Sequence, residues 1–228
     1  MRKPVPATSG VGVVDKSVGL LDALAKGPAS LAELVESTGL SRPTAHRLAR
    51  AWEHHGVVGR DEQGRFRLGA HATAWAGASG TGPLLDAARS VLADLRDATD
   101  ESAQLYMRDG DRRICVAAAE RPSGLRDTVP VGASLPLDAG SGGKVMLAFE
   151  GPPADAERRR IRKRGWADSV AEREPGVASV SAPVLRDDTL VAVVSVSGPI
   201  DRLTCTPGKR FAQAVTRAAR DLEHRAGL

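Results

Sequence analysis

Residues 30–69 read SLAELVESTGLSRPTAHRLARAWEHHGVVGRDEQGRFRLG. Ser30 followed three positions later by Glu33 has the form of a capping box, and it opens a helix whose apolar face is Leu31, Leu34 and Val35. Thr38-Gly39-Leu40 reads as a tight turn, because glycine adopts positive φ without a Cβ clash. Ser41 then caps a further helix that tolerates Pro43 in its first turn and runs to about His55. At about 100° per residue, Ala45, Leu48, Ala49 and Trp52 share one side of it. Arg47, Arg50, Pro43 and His54 lie opposite, with Thr44 and His46 on the flanks. After Gly56, VVGR and RFRLG are short strands around a DEQG turn, in which Arg65 and Arg67 alternate with Phe66 and Leu68. A preceding helix over Asp15 to Lys26 carries Val18, Leu21 and Leu24 and stops at Gly27-Pro28. Three helices, the last with a basic face, and a basic hairpin have the form of a winged helix-turn-helix.

Charge supports a duplex partner for this segment. The 228 residues hold 32 Lys plus Arg against 28 Asp plus Glu, a net of +4. Residues 1–80 have ten basic and seven acidic side chains, whereas residues 81–228 have 22 and 21. Six arginines (42, 47, 50, 60, 65 and 67) face only Glu53, Asp61 and Glu62 between positions 42 and 67. Clustering of this kind matters more for phosphate contact than the total does. With aromatics at 3%, a stacking platform for single strands is not expected. Two cysteines, Cys115 and Cys205, make neither a disulfide framework nor a four-ligand zinc site. The N-terminus lacks the apolar core of a secretory signal, and the longest aliphatic run, Leu190 to Val196, is far short of the ~20 residues that span a bilayer. A cytoplasmic protein without membrane association is expected.

Downstream the pattern changes. GAHATAWAGASG (69–80) reads as a short helix and a joint, and Pro83 opens an amphipathic helix with Leu84, Leu85, Ala88, Val91, Leu92 and Leu95 on one side. A hairpin is predicted around Asp109-Gly110-Asp111 and a second around Asp187-Asp188. TVPVGASLPL is extended, GGKVMLAF is a short helix or buried run, and a last helix runs from about Pro207 to Arg225. The fold class is α+β: a winged helix-turn-helix over 11–69, a linker over 70–82, and a domain with a central antiparallel sheet over 83–228.

The quoted stretch resembles the DNA-binding domain of the IclR family of bacterial transcriptional regulators. The likeness rests on Gly39, Thr44-Ala45-His46-Arg47-Leu48, Phe66 and Arg67-Leu68-Gly69. Val35 departs from it, standing where alanine is usual. LPLDAGSGGKVMLAF and RGWADSVAEREPGVASVSAPV with VAVVSVSGPIDRL resemble the family's effector-binding domain, a relative of the GAF fold, across roughly 83–226. ESAQLYMRDGDRRICVAAAE with RPSGLRDTVPVG is more similar still to an actinobacterial branch linked to leucine and other amino-acid biosynthesis. Gly165 follows Phe149 by only 16 positions, where the family usually has a longer helical insertion.

The resemblance implies a metabolite-responsive repressor that binds double-stranded operator DNA as a homodimer or dimer of dimers. Its DNA contacts would be Ser41, Arg42, Pro43, Thr44, His46, Arg47, Arg50, Arg65 and Arg67. Its effector would be a carboxylate or amino-acid-like metabolite held by Ser141, Gly142 and Gly143 at a helix N-terminus, by Ser179 where many members carry cysteine, and by Ser195 and Ser197. Asp168 is a further candidate. The alternative is a metabolite-sensing protein whose winged helix makes protein contacts.

Enzymatic readings fare poorly. Ser141-Gly142-Gly143-Lys144 matches Ser-x-x-Lys, but its companion motifs are absent. Asp138 and Val145 break a phosphate-binding loop at the same place. His46, His54, His55 and His71 lie in the N-terminal third and His224 in the last helix, so no histidine falls among the pocket candidates. Adjacent His54 and His55 point about 100° apart on a helix and cannot share a metal. No enzyme activity, cofactor or metal is expected.

Overall fold

A computed structural model describes residues 9–78 and 80–228, whose contacts fall into one unit up to Thr81 and another from Gly82 to Leu228. The leader reading of residues 1–8 and the linker position Ser79 lie outside the described residues.

The first unit runs α1 (Gly12–Ala25), α2 (Leu31–Thr38), α3 (Arg42–His54), β1 (Val58–Arg60), β2 (Phe66–Leu68) and α4 (Ala70–Ala78). The capping box forms in full: Glu33 N–H donates to Ser30 Oγ at 3.3 Å, and Ser30 N–H donates to Glu33 Oε2 at 2.7 Å. Gly39 closes α2 at φ 68°. Ser41 holds the N-cap of α3, yet its hydroxyl donates to Thr44 Oγ1 at 2.9 Å rather than to the backbone. β1 and β2 pair antiparallel, Val58 opposite Leu68, and Phe66 exchanges backbone hydrogen bonds with Ala29. The core is Leu20, Leu24, Leu34, Leu48, Ala49, Val58 and Phe66. α1 departs from expectation, starting three residues before Asp15 and burying Ser17, Leu20 and Leu24. Val18, expected on the apolar face, is 50% exposed. Both stripes share Leu24 at i+3/i+4 spacing, and small Ser17 lets the Leu20 side pack.

The second unit runs α5 (Gly82–Thr99), β3 (Ser102–Asp109), β4 (Arg112–Ala119), β5 (Ser134–Pro136), α6 (Ser141–Phe149), α7 (Ala156–Arg164), β6 (Ala167–Val170), β7 (Val177–Arg186), β8 (Thr189–Pro199), α8 (Ile200–Leu203) and α9 (Pro207–Ala226). Its strands form one antiparallel sheet in the order β5-β4-β3-β8-β7-β6. Asp187 and Asp188 turn the β7–β8 hairpin with φ of 45° and 63°, the paired positive values that match the twist of the strands. The larger apolar core of this unit lies on one face of the sheet, and a second cluster with Tyr106, Cys115, Val193, Val145 and Met146 lies on the other. In the larger core Leu105, Val180, Ala182, Val194 and Val196 pack with α5 and α9 through Leu92, Phe211, Val215 and Leu222. On the other side α6 packs on β6, β7 and β8, and α7 packs on α6.

α7 and β6 have no counterpart among the elements expected from sequence, where this region reads only as a shortened insertion. AERRRIRKR has six basic residues and a single buried position, Ile161, so no apolar period marks it. Its end signals are regular: Asp155 Oδ1 accepts the Arg158 N–H at 2.8 Å, and Gly165 ends the helix at φ 76°. Most of TVPVGASLPL is irregular, with only Ser134–Pro136 paired in the sheet. The fold is α+β, a winged helix-turn-helix followed by a domain built on a curled antiparallel sheet. Among the described residues no helix is long and apolar enough to cross a membrane.

Fully buried Leu34 is the one α2 side chain in the first unit's core, so Leu34→Ala should destabilise that unit by about 2–5 kcal/mol. Urea unfolding followed by circular dichroism measures this, and a change within error would contradict the packing described.

Candidate functional site

Helix α3 exposes Ser41, Arg42, Pro43, His46, Arg47 and Arg50, with Thr44 half-buried beside them. Ala45, Leu48 and Ala49 hold its opposite side in the core. The arginines differ in what they already bind. Neither Arg42 nor Arg47 has an ion pair or side-chain hydrogen bond among the described residues. Arg50 pairs with Glu53 at 2.8 Å, and Arg60 pairs with the same carboxylate at 2.9 Å while lying 4.1 Å from the centre of the Phe66 ring. These two arginines hold the Glu53 carboxyl below the ordinary glutamate range, the Arg60 hydrogen bond most of all. In the wing, Arg65 is tied to Asp61 at 2.8 Å and Arg67 donates to the carbonyls of Arg60 and Leu68. Phe66 between them is buried. Two cations are therefore free on the helix, and the wing's pair is partly engaged within the hairpin.

The second unit gathers hydroxyls on the sheet face opposite its larger apolar core. The register sets Ser179 opposite Ser197, Ser181 opposite Ser195, and Ser169 opposite Ser179, so all five point to one side. Ser141, first residue of α6, comes down onto them. Its Oγ lies 2.7 Å from both Ser179 Oγ and Ser181 Oγ, and its N–H donates to Ser169 Oγ at 3.1 Å. Ser169 and Ser179 are 2.9 Å apart, as are Ser181 and Ser195.

The supply of protons orders this chain. Ser195 donates to the Val180 carbonyl and Ser181 to Ser195. Each hydroxyl has one proton, so Ser141 donates to Ser181, Ser179 to Ser141 and Ser169 to Ser179. All five hydrogens are thus committed. Ser197 stands outside the chain and donates to Gln104 Oε1 at 3.2 Å. Ser169, Ser181 and Gln104 are not among the residues expected from sequence. Alternation with Ser179 could have found Ser181, but Ser169 and Gln104 join only through strand pairing.

Gly142 and Gly143 are buried in the first turn of α6, and a Cβ on Gly143 would collide with the Leu137 carbonyl oxygen. Asp168 requires a correction. It pairs with Val180, which puts its side chain on the opposite face of the sheet from the serines. There Oδ2 accepts the Gly208 N–H and Oδ1 pairs with Arg164, both at 3.3 Å, so the carboxylate anchors the start of α9.

The nucleophile candidates are quiet. Burial pushes the Cys115 thiol up to about 12, keeping it protonated. Burial works to lower the Lys144 ammonium, but Glu172 at 2.5 Å and Glu157 at 3.3 Å prevail and leave it raised. Lys144 therefore stays charged and is no base for Ser141, whose hydroxyl is bonded to other serines. Among the described residues no group of His, Cys, Asp and Glu could hold a metal ion.

Comparison with known proteins bears on both units. The family model described as the IclR helix-turn-helix domain matches residues 13–62, and that of the bacterial transcriptional regulator IclR C-terminal domain matches 78–159 and 155–224. The glycerol operon regulatory protein of Streptomyces griseus is 31% identical over 91% of this chain and 92% of its own. The transcriptional repressor IclR of Escherichia coli strain K12 is 26% identical, covering 97% of this chain and 93% of its own. A solved IclR-family regulator from Rhodococcus is 28% identical at a TM-score of 0.55, over 98% of this chain and 97% of that one.

Gly143→Ala should destabilise the second unit by about 1–3 kcal/mol, because backbone cannot yield to the new Cβ. Asp168→Ala should cost about 1 kcal/mol through its lost bonds to Gly208 and Arg164. Urea midpoints rank the two, and a reversed order would show that the α6 turn is looser than drawn.

Proposed function

This chain belongs to the IclR family of DNA-binding transcriptional regulators, and we propose that its operator binding is controlled by a small metabolite bound on the serine face of the second unit. The observation that carries the DNA half is the pair of free, exposed arginines, Arg42 and Arg47, at the start of α3. They sit where a recognition helix presents its N-terminal residues to base edges in the major groove. Ser41, Pro43, Thr44 and His46 complete that surface, while Arg50, Arg65 and Arg67 contact the phosphate backbone through the N–H groups their internal bonds leave open. Binding two half-sites one helical turn apart calls for a homodimer or a dimer of dimers.

The effector half rests on a polar, buried sheet face held beside a helix N-terminus, an arrangement suited to a carboxylate or an amino-acid-like compound. Ser141, Gly142, Gly143, Ser179, Ser195 and Ser197 are its ligand contacts, and Asp168 serves the fold. Because the hydroxyl chain is internally satisfied, a ligand acceptor gains only by reversing part of it. Repression is the mode shared with the Escherichia coli relative's name, and the likeness of ESAQLYMRDGDRRICVAAAE to the leucine-linked branch supports an effector drawn from amino-acid metabolism.

Arg47→Ala should weaken operator binding by about 1–3 kcal/mol if it reads a base. Arg67→Ala should weaken all sequences alike and lower the salt slope by about one. Electrophoretic mobility shifts across a salt series distinguish these, and salt-insensitive binding, or none to any upstream sequence, would leave a protein-contact role for the wing. Ser195→Ala combined with Ser197→Ala should abolish metabolite release of the operator and spare ligand-free DNA binding. Retention of both properties would move the effector elsewhere.

A further inference from the structure

Charge in the second unit balances in total, 22 basic side chains against 21 acidic, but it is unevenly spread. Six of the basic ones fall within seven positions of α7, Arg158 to Arg164, interrupted only by Ile161. Three of the six fasten the helix to its surroundings. Arg158 pairs with Asp155 at 3.3 Å, and Arg162 donates to the carbonyls of Ala148 and Gly151. Arg164 pairs with Asp168 and lies 3.7 Å from the centre of the Trp166 ring. The other three, Arg159, Arg160 and Lys163, are exposed and have no ion pair or side-chain hydrogen bond among the described residues. At about 100° per residue they share one arc of the helix, opposite buried Ile161. The acids near them are engaged: Asp155 accepts from the Arg158 backbone and guanidinium, and Glu157 pairs with Lys144 at 3.3 Å. The outer face of α7 is therefore three open cations.

Helix stability does not account for them. Lys163, in the last turn, complements the negative end of the helix dipole, but Arg159 and Arg160 stand nearer the positive end. The pairs 158/162, 159/163 and 160/164 each put like charges four positions apart, where they repel. Buried Ile161 and the three tethers hold the helix against this repulsion, and a polyanion laid along the outer face would relieve it. The chemistry of the face selects the polyanion. It carries no aromatic or large apolar side chain, the kind of anchor in which the affinity of protein partners concentrates. It does carry guanidinium forks and an ammonium, the donors that phosphate oxygens accept from most strongly. Duplex DNA presents one negative charge per about 1.7 Å of its axis, dense enough to meet all three cations together.

We infer that the outer face of α7 is a second DNA-contact surface, on which Arg159, Arg160 and Lys163 bind the phosphate backbone of duplex DNA without reading its sequence. It belongs to the second unit, adds to the contacts of α3 and the wing, and is independent of the metabolite reading. The near-neutral total for residues 81–228 conceals it, because the compensating acids lie elsewhere in the unit.

The test is a salt series of mobility shifts on a long duplex of unrelated sequence, with the full chain and with its Arg159→Gln/Arg160→Gln/Lys163→Gln variant. Each phosphate contact adds about 0.9 to the slope of log K against log salt, so the variant's slope should be shallower by about 2–3 and its affinity at low salt lower by about tenfold or more. Its Tm should not fall, since the substitutions remove like-charge pairs and glutamine is a good helix former. Arg159→Lys/Arg160→Lys, which keeps the charge, should retain most of the slope, and Arg160→Gln alone, which should lower it by about one, serves if the triple variant does not fold. The same loss is expected in an Arg42→Ala/Arg47→Ala background, which separates this surface from the helix-turn-helix reading. An unchanged slope, or a loss that vanishes in that background, would overturn the proposal. So would a loss accompanied by a change of oligomeric state in sedimentation, which would give the face to a second copy of the chain.

Discussion

The register between β7 and β8 is the constraint on which the second unit depends. With Ser181 opposite Ser195 and Ser179 opposite Ser197, every valine and alanine that alternates with them is sent to the other side, against α5 and α9. A slip of one residue would bury the serines in that apolar core and turn the valines toward α6, which is why a two-faced strand pair holds its register strongly. The aspartate pair at 187 and 188 sets the turn, and the packing of Val180, Ala182, Val194 and Val196 holds it. Placement of Ser169 beside the hydroxyl chain and of Gln104 beside Ser197 follows from this pairing and from its neighbours in β6 and β3.

Internal pairing also governs the first unit. Glu53 draws Arg50 and Arg60 onto itself, and Asp61 holds Arg65, so much of the positive charge counted in residues 42–67 is already partnered. Exposed ion pairs of this kind are worth roughly 0–1 kcal/mol, which makes them exchangeable for phosphates. They keep the wing's arginines ordered near the surface while Arg42 and Arg47 remain open. The net charge of +4 therefore understates the polarity of one face and overstates the number of free cations on it.

The helix-turn-helix was legible because its signals are local. Capping at Ser30, the glycine turn at 39, the apolar spacing of Ala45, Leu48 and Ala49, and the arginine-phenylalanine alternation of the wing all act within a few residues. Where two local solutions competed, as in α1, periodicity alone chose Val18 over Leu20, and only the packing partners decided otherwise. α7 was illegible for the opposite reason: a helix nearly all basic, with Ile161 alone buried, has no apolar stripe to read.

Sequence by itself determined the two-unit order, the family, the hairpins and the face that the serines of β8 would share, since each follows from spacing along one chain segment. Tertiary structure alone decided that Asp168 faces away from those serines, that Ser169, Ser181 and Gln104 join them, and that Arg113 is brought to the first turn of α6. Those outcomes depend on which strand lies beside which and in what register. The interactions that fix them link residues tens of positions apart, beyond the reach of any periodicity.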